Sequence, residues 1–303
     1  MAPGASVELR AGERVVQLGS RPLLMGVVNA SPDSFSDGGR WPTLDDRVAL
    51  ARDLAAAGAD ALDVGGESGV TNAPPVDPEV EIERVVPLIS RIVDEFPGVL
   101  VSVDTYKPVV ARAAVSAGAS LVNDVSGLRD PGVAEVCAAS GAALVIVHTR
   151  AAPKEKVLDP RWDGRVVEDA RAFFDERIAL AGARGVAREQ IVLDPGPDLG
   201  KTPAQTVEAL RSLNAYHAFG RPLLLAISRK DFLGVVTGRP PAQRDGATLA
   251  ALSGGLDAGA HIFRVHDVAA AADFVAVRSV LRGEASLPSG AQLADDLRRE
   301  PAR

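Results

Sequence analysis

Residues 43–65 read TLDDRVALARDLAAAGADALDVG, and this stretch contains one complete structural unit. Apolar residues recur every three to four positions from Leu44, which is the spacing of one helix face, and Gly58 ends the pattern. The apolar run ALDVG (61–65) follows at once and has the length of a buried strand. The stretch therefore predicts a helix that leads directly into a strand.

The same unit recurs from about residue 22 to residue 282. Eight short apolar runs are strand candidates: LLMGVVN (23–29), ALDVG (61–65), LVSVD (100–104), SLVND (120–124), ALVIVH (143–148), IVLD (191–194), LLLAIS (223–228) and IFRVH (262–266). Because helical patterns separate them, consecutive strands are expected to pair in parallel through right-handed crossovers. Eight units predict the α/β class and a single (β/α)8 (TIM) barrel, with a doubly wound open sheet as the alternative on pattern alone.

The two ends of the chain read as peripheral to this barrel. Within residues 1–20, SVELRAG and ERVVQLG predict a β-hairpin that plugs the amino end of the barrel. Residues 284–303 are polar and carry Pro and Gly, which predicts a loose tail. We expect residues 1–303 to form one domain.

Composition narrows the class of protein. Apolar residues make up 47% of the chain but aromatic residues only 4%, which predicts an aliphatic core. The net charge of -7 argues against nucleic-acid binding, which needs a basic face. Cys137 is the only cysteine, so no internal disulfide forms, and no apolar run suits a signal peptide or a membrane span. These features are typical of a cytoplasmic protein. The motifs HExxH and His-x-His are absent, so we expect no zinc site.

Polar residues end the predicted strands. They are Asn29, Asp63, Asp104, Asn123, Asp124, His148, Asp194, Ser228 and His266. In barrel enzymes the catalytic groups stand at the carboxyl ends of the strands. The succession therefore predicts one converging site at that end.

The last two strands offer groups for an anion and for a heteroaromatic ring. Arg264 and His266 share a face by period-2 alternation and suit an anion, the alternative being a rim ion pair with Asp267. Ser228 and Lys230 also share a face, and a lysine there can donate to a ring carbonyl or nitrogen. The alternative is that Lys230 belongs to the solvated start of the next helix.

Three further strand ends present a carboxylate, an amide and a second carboxylate, from Asp104, Asn123 and Asp194. This set matches the edge of an aminopyrimidinone, whose adjacent N–H donors face carboxylate oxygens. Each residue taken alone could instead cap a helix or a turn.

The loop after the first strand, within MGVVNASPDSFSDGG (25–39), predicts a lid over a phosphorylated substrate that carries Mg²⁺. Its polar residues are Asn29, Ser31, Asp33, Ser34, Ser36 and Asp37, with Gly38 and Gly39 as hinges.

Nine strings, in order, resemble the dihydropteroate synthase family of pterin-binding barrels. They are MGVVNASPDSFSDGG, ALDVGGES, VSVDTYKPVVARAA, LVNDVSG, LVIVH, IVLDPG, GKT, SRKDFLG and FRVHDV, and they span about residues 22–282. The resemblance implies an enzyme of folate biosynthesis that joins p-aminobenzoate to 6-hydroxymethyl-7,8-dihydropterin pyrophosphate and releases pyrophosphate. It also implies a homodimer through the last barrel helices.

The resemblance also implies a role for each matching residue. The pterin ring is expected to lie against Asp104, Asn123, Asp194 and Lys230. Asn29 is expected to hold Mg²⁺ and pyrophosphate, with Arg264 and His266 on the leaving phosphates. Lys230, Asp104, Arg264 and His266 are the expected catalytic residues.

Departures from the family pattern fall on the p-aminobenzoate side. Gly69 and Val70 stand where the family has Thr or Ser followed by Arg, and Asp198 and Leu199 stand where it has Gly-Phe. Ser228 is expected to border the same side. Three interpretations stay open: a synthase with altered sulfonamide sensitivity, a pterin-binding paralogue without synthase activity, and a methyltransferase that uses a methyl-tetrahydropterin.

Overall fold

The computed structural model of the chain describes residues 6–19, 21–31, 42–69, 71, 74–294 and 297. A β-hairpin comes first, in which β1 (Val7–Ala11) and β2 (Arg14–Leu18) pair antiparallel around Gly12. The φ of 64° at Gly12 suits a residue without a side chain. Leu9 and its neighbours on the same face pack against barrel-interior residues such as Leu100. The predicted N-terminal hairpin is confirmed, and it covers the amino end of the barrel interior.

A parallel sheet follows the hairpin. Its strands are β3 (Leu23–Asn29), β4 (Ala61–Gly65), β5 (Leu100–Asp104), β6 (Leu121–Asp124), β7 (Ala143–Val147), β8 (Ile191–Asp194), β9 (Leu224–Leu225) and β10 (Ile262–Val265). They are ordered β8-β7-β6-β5-β4-β3-β10-β9, and a parallel bridge between Leu193 and Leu223 closes the sheet. The predicted (β/α)8 barrel is therefore confirmed.

Helices cover the outside of the strands. They are α1 (Leu44–Ala56), α2 (Pro78–Glu95), α3 (Pro108–Ser116), α4 (Gly132–Ser140), α5 (Val166–Ala183), α6 (Pro203–Arg211), α7 (Asp231–Thr237), α8 (Asp245–Asp257) and α9 (Val268–Leu281). Thr43 caps α1, because its hydroxyl accepts from the Asp46 N–H while the Asp46 side chain accepts from the Thr43 N–H.

Seven of the eight predicted strands agree with the structure to within one residue. The seventh is shorter than predicted, since only Leu224–Leu225 of residues 223–228 is strand. Its ladder with β10 ends at Leu225, and the chain then turns at Arg229. The φ of Arg229 is 59° and its N–H donates to Thr248 Oγ1 at 3.1 Å, so the chain turns toward α8.

Period-2 alternation decides which side chains enter the barrel. On β5, Leu100, Ser102 and Asp104 face the interior, whereas Val101 and Val103 pack under the helices. The interior is filled mainly by aliphatic side chains, as the composition predicts. Asp104, the last residue of β5, therefore places a carboxylate at the carboxyl end of the barrel interior.

Residues 282–294 follow α9 without helix or strand, and their side chains are exposed. Within the described ranges, no helix combines the length and the apolar character needed to cross a membrane.

Candidate active site

An ion-pair network lies at the carboxyl end of the barrel interior. The Arg264 guanidinium donates through Nε to Asp63 Oδ2 at 2.6 Å and through Nη2 to Asp104 Oδ2 at 2.9 Å. Asn123 Nδ2 donates to the same Asp63 oxygen at 3.0 Å. The rim ion pair with Asp267 is not formed, because that carboxylate caps α9 by accepting from the Ala270 N–H.

The protonation of Asp104 is balanced between opposing effects. Burial raises the pKa of its carboxyl to about 7, although the positive charges of Arg264 and Lys230 lower it. The negative charges of Asp63 and Glu81 raise it. A cationic ligand beside Asp104 would therefore favour the carboxylate form.

Asp194 enters the same space from β8. Its side chain is buried, and Oδ1 accepts from the Gly196 N–H at 2.7 Å. Burial raises the pKa of Asp194 to about 6, while the hydrogen bond from Gly196 and the charges of Lys230, Lys201 and Arg264 lower it. Asp194 keeps its charge near neutral pH because of these partners.

Lys201 lies beside Asp194 and was not singled out from the sequence. Its ammonium donates to the carbonyl oxygens of His148 at 2.9 Å, Gly196 at 3.0 Å and Leu199 at 3.3 Å. Burial lowers its pKa to about 7, against the raising effect of the Asp194 charge. Lys201 thus joins the end of β7 to the loop after β8, and the GKT string was the available signal.

Ser228 and His266 form a pair next to Arg264. Ser228 Oγ lies 2.9 Å from His266 Nδ1 and also accepts from the His266 backbone N–H at 3.3 Å. Burial and the Arg264 charge lower the pKa of His266 to about 3. The imidazole is therefore neutral at physiological pH, and Ser228 acts as its support.

Lys230 precedes the first residue of α7, and its positive charge acts on Asp104, Asp194 and His266. Together with Asn123, this brings the four residues of the predicted ring pocket to one place. Lys230 is also the N-cap residue of α7, so it stands at the start of the next helix as the alternative interpretation predicted.

Two strand-end residues do not join the site, and the prediction that all of them converge is wrong for these two. Asp124 turns outward, where its carboxylate accepts from the Ser126 N–H at 2.8 Å and hydroxyl at 2.6 Å. His148 also turns outward, with Nε2 3.0 Å from Asp169 Oδ2 and its ring edge-on to Phe173. Alternation from the inward residues of β6 and β7 places both on the helix-facing side.

Comparisons with known proteins identify the family of the chain. The sequence profile of pterin binding enzymes matches residues 25–266. A dihydropteroate synthase of Escherichia coli is 39% identical over 249 residues, which cover 82% of this chain and 88% of that protein. The chain belongs to the dihydropteroate synthase family. The predicted family is thereby confirmed.

Solved structures of the family superimpose closely on the chain. The dihydropteroate synthase of Yersinia pestis with a sulfonamide drug complex has a TM-score of 0.85 at 35% identity, covering 91% of this chain and 99% of that one. The Xanthomonas albilineans enzyme with 4-aminobenzoic acid has a TM-score of 0.83 at 38% identity, covering 94% and 100%.

Asp198 departs from the family pattern and holds its own loop in place. Its φ is 62°, its Oδ1 accepts from the Thr206 hydroxyl at 3.0 Å, and its Oδ2 accepts from the Phe232 N–H at 3.3 Å. Its charge is thus directed at α6 and α7.

Two of the other departures, Leu199 and Gly69, lie within the described residues. Leu199 packs against the barrel-interior cluster that contains Val147 and Val192. Gly69 has no atom within 4 Å of the position that a Cβ would take. Val70 lies outside the described residues.

A charged cluster around Glu67, which we call the Glu67 clasp, joins both ends of the segment 68–75. Glu67 Oε2 accepts from the Val76 N–H at 3.0 Å and from Lys107 Nζ at 2.6 Å. Lys107 Nζ also donates to the Val76 carbonyl and to Glu81, each at 2.6 Å. Lys154 approaches Glu67 Oε1 to 3.2 Å. No motif in the sequence predicts these long-range contacts.

The loop after β3 is described only at its start. Asn29 ends β3 in register with Gly65, and Ser31 is buried. The predicted lid residues Asp33, Ser34, Ser36, Asp37, Gly38 and Gly39 lie outside the described residues. Among the residues that are described, no group of three or more His, Cys, Asp or Glu side chains could hold a metal ion.

Proposed function

We propose that the chain is a dihydropteroate synthase, a transferase that joins p-aminobenzoate to 6-hydroxymethyl-7,8-dihydropterin pyrophosphate. The observation that carries the proposal is the convergence of Asp104, Asn123 and Asp194 beside Arg264 within the barrel mouth. The relatives support it, since one Xanthomonas albilineans structure contains 4-aminobenzoic acid and another contains 7,8-dihydropteroate.

The proposed position of the pterin ring rests on the carboxylate oxygens of Asp104 and Asp194 that accept no hydrogen bond within the described ranges. Among the described residues, the protein uses one oxygen each of Asp104 and Asp194, so a second oxygen of each is left for N–H donors of the pterin. The side-chain amide of Asn123 can both accept from a ring N–H and donate to a neighbouring ring acceptor. Lys230 donates to the ring carbonyl or nitrogen. As the C–O bond to pyrophosphate breaks, positive charge develops on the dihydropterin and is stabilised by these two carboxylates. The arylamine nitrogen then attacks the exocyclic carbon.

The leaving pyrophosphate is assigned to Arg264, His266 and Asn29. Two of the three guanidinium nitrogens of Arg264 donate to carboxylates, and within the described part of the chain Nη1 is left for a phosphate oxygen. The Ser228 hydroxyl already accepts from the His266 backbone and can donate its proton to Nδ1, so Nε2 carries a proton for the anion.

Mg²⁺ is the expected metal at this end of the site. Asn29 offers one amide oxygen, which suits an ion that keeps several waters and takes its other ligands from phosphate. When bound, Mg²⁺ neutralises charge on the leaving group.

Release of pyrophosphate on mixing the two substrates with Mg²⁺ is the deciding experiment. We expect release by the wild-type chain and a large loss in Asp194→Asn, since a charged hydrogen bond to the ring contributes about 1–3 kcal/mol. Binding of the pterin without release would instead indicate a paralogue that lacks synthase activity. Turnover with a methyl-tetrahydropterin would indicate the methyltransferase, which the Arg264 and His266 anion grip disfavours.

Assembly and location complete the proposal. We propose one domain, a homodimer through the last barrel helices, and a cytoplasmic location that agrees with the single buried Cys137. The apolar residues Val277 and Leu281 of α9 are exposed at 60% and 81%, which supports contact with a second copy. A monomer mass at micromolar concentration in sedimentation would remove the dimer.

A further inference from the structure

Asp63 is completely buried at the barrel mouth, and nothing in the proposed reaction uses it. Its Oδ2 accepts two hydrogen bonds, from Arg264 Nε and from Asn123 Nδ2. One oxygen atom therefore fixes two side chains that belong to different parts of the proposed site, the anion grip and the ring pocket.

Each of the two contacts has a consequence for a ligand. An Asn123 amide that gives an N–H to Asp63 must turn its carbonyl oxygen away from that carboxylate. Arg264 is held between Asp63 on β4 and Asp104 on β5, so the direction of its remaining nitrogen is set by both strands.

The other oxygen of Asp63 supports a role beyond folding. Asp63 Oδ1 is buried without a hydrogen-bond partner in the described structure, and so is the hydroxyl of Ser102, its register partner on β5. Leaving a buried carboxylate oxygen unpaired is unfavourable, and such groups are uncommon unless they serve another purpose. Asp63 thus accepts hydrogen bonds from two neighbours through Oδ2, while its Oδ1 has no partner in the described structure.

We propose that Asp63 is a positioning residue, which orients the Asn123 amide toward the pterin and Arg264 toward the leaving anion. The inference rests on the proposed function. The carboxylate is the acceptor on which both donors converge, and no other described side chain accepts from Asn123 Nδ2.

Asp63→Asn tests the role, with binding of 6-hydroxymethyl-7,8-dihydropterin measured by calorimetry, without pyrophosphate or Mg²⁺. We expect the Kd at pH 8 to rise ten- to a hundredfold. Ser102→Ala is the matched control, since it changes the neighbouring buried position and should leave the Kd within twofold.

The pH dependence separates positioning from a loosened fold. The charged groups that act on Asp104 are Arg264, Asp63, Glu81 and Lys230. The Asp63 charge raises the pKa of Asp104, so removing it lowers that pKa, and the acid limb of pterin binding moves to lower pH. Unchanged affinity, or weaker binding with an unmoved acid limb, would overturn the proposal.

A wild-type measurement covers the case in which Asp63→Asn does not fold. In the nitrogen-15 spectrum of the unliganded protein, the Asn123 side-chain amide and the Arg264 Nε–H should exchange slowly with solvent. Rapid exchange of both would refute the positioning role. A wild-type chain that binds no pterin but protects these protons would refute the proposed function alone.

Discussion

Replacing Lys201 with methionine tests whether its buried ammonium holds the end of β7 and the loop after β8 together. The side chain is only 3% exposed, and methionine can fill most of the space of its stem. The substitution leaves three carbonyl oxygens without their donor, and a buried unpaired acceptor costs about 1–3 kcal/mol. Relief of the buried charge offsets part of that sum, so we expect a net loss of about 3 kcal/mol. For a chain of this size that lowers Tm by roughly 6–12 °C.

The matched control is Lys156→Met, which removes an exposed lysine from the loop after β7. Scanning calorimetry of both variants should show a small change in the control, within about 0.5 kcal/mol. An equal Tm shift in the two variants would refute the reasoning, because it would mean that the three carbonyl contacts of Lys201 contribute no stability.

The pH dependence of the same pair of proteins provides a second measurement. Burial lowers the pKa of Lys201 to about 7, whereas the unfolded chain has a lysine near 10.4. Between these values the unfolded state binds more protons, so this residue makes the folded state more stable as the pH rises. The difference in the free energy of unfolding between wild type and Lys201→Met should therefore grow from pH 7 to pH 9. A constant difference would contradict it.

Three further changes have defined outcomes. Asp198→Gly with Leu199→Phe restores the family pattern. We expect a lower KM for p-aminobenzoate and stronger sulfonamide inhibition, because an aromatic contact adds about 0.5–1.5 kcal/mol. An unchanged KM in steady-state kinetics would count against this expectation. Gly196→Ala should lower Tm markedly in calorimetry, since its Cβ would lie 2.1 Å from a carbonyl oxygen at a φ of 63°, whereas Gly246→Ala has nothing within 4 Å and should not. Wild-type stability should fall as the pH is lowered from 6.5 to about 3, because in this range the unfolded chain protonates His266 while burial keeps it neutral in the folded state. His266→Gln should make this fall smaller. Parallel curves of Tm against pH for the variant and wild type would exclude the prediction.

The sequence predicted much of the fold because the barrel repeats a local pattern. Periodicity located the strands, and the order of polar strand ends placed the site at the carboxyl end. The same alternation also assigns Asp124 and His148 to the outer face. Their assignment to the site was wrong because it considered only that they end strands, and not which face of the strand they lie on. The seventh strand was overestimated, since its ladder with β10 ends at Leu225, and the turn at Arg229 that follows depends on Thr248, which lies far along the chain.

Contacts between loops were beyond the sequence for a physical reason. Lys201 and Glu67 each join segments that are distant along the chain, and their partners are partly backbone atoms. Backbone acceptors leave no trace in residue identity. The prediction of Asp63 as a strand end is wrong, because Asp63 is the middle residue of β4. Its sharing by Asn123 and Arg264 depends on the stagger of three strands.

The Glu67 clasp has a consequence for how enzymes of this kind diversify. Because the chain is tied at Glu67 and Val76, the amino acids between them form a cassette that can change in length or content while the barrel stays as it is. Doubling the length of such a closed loop costs only about 0.6 kcal/mol. Changes between Ser68 and Pro75 therefore cost the folded barrel little free energy, so sequence variation can accumulate in this segment more readily than in the strands.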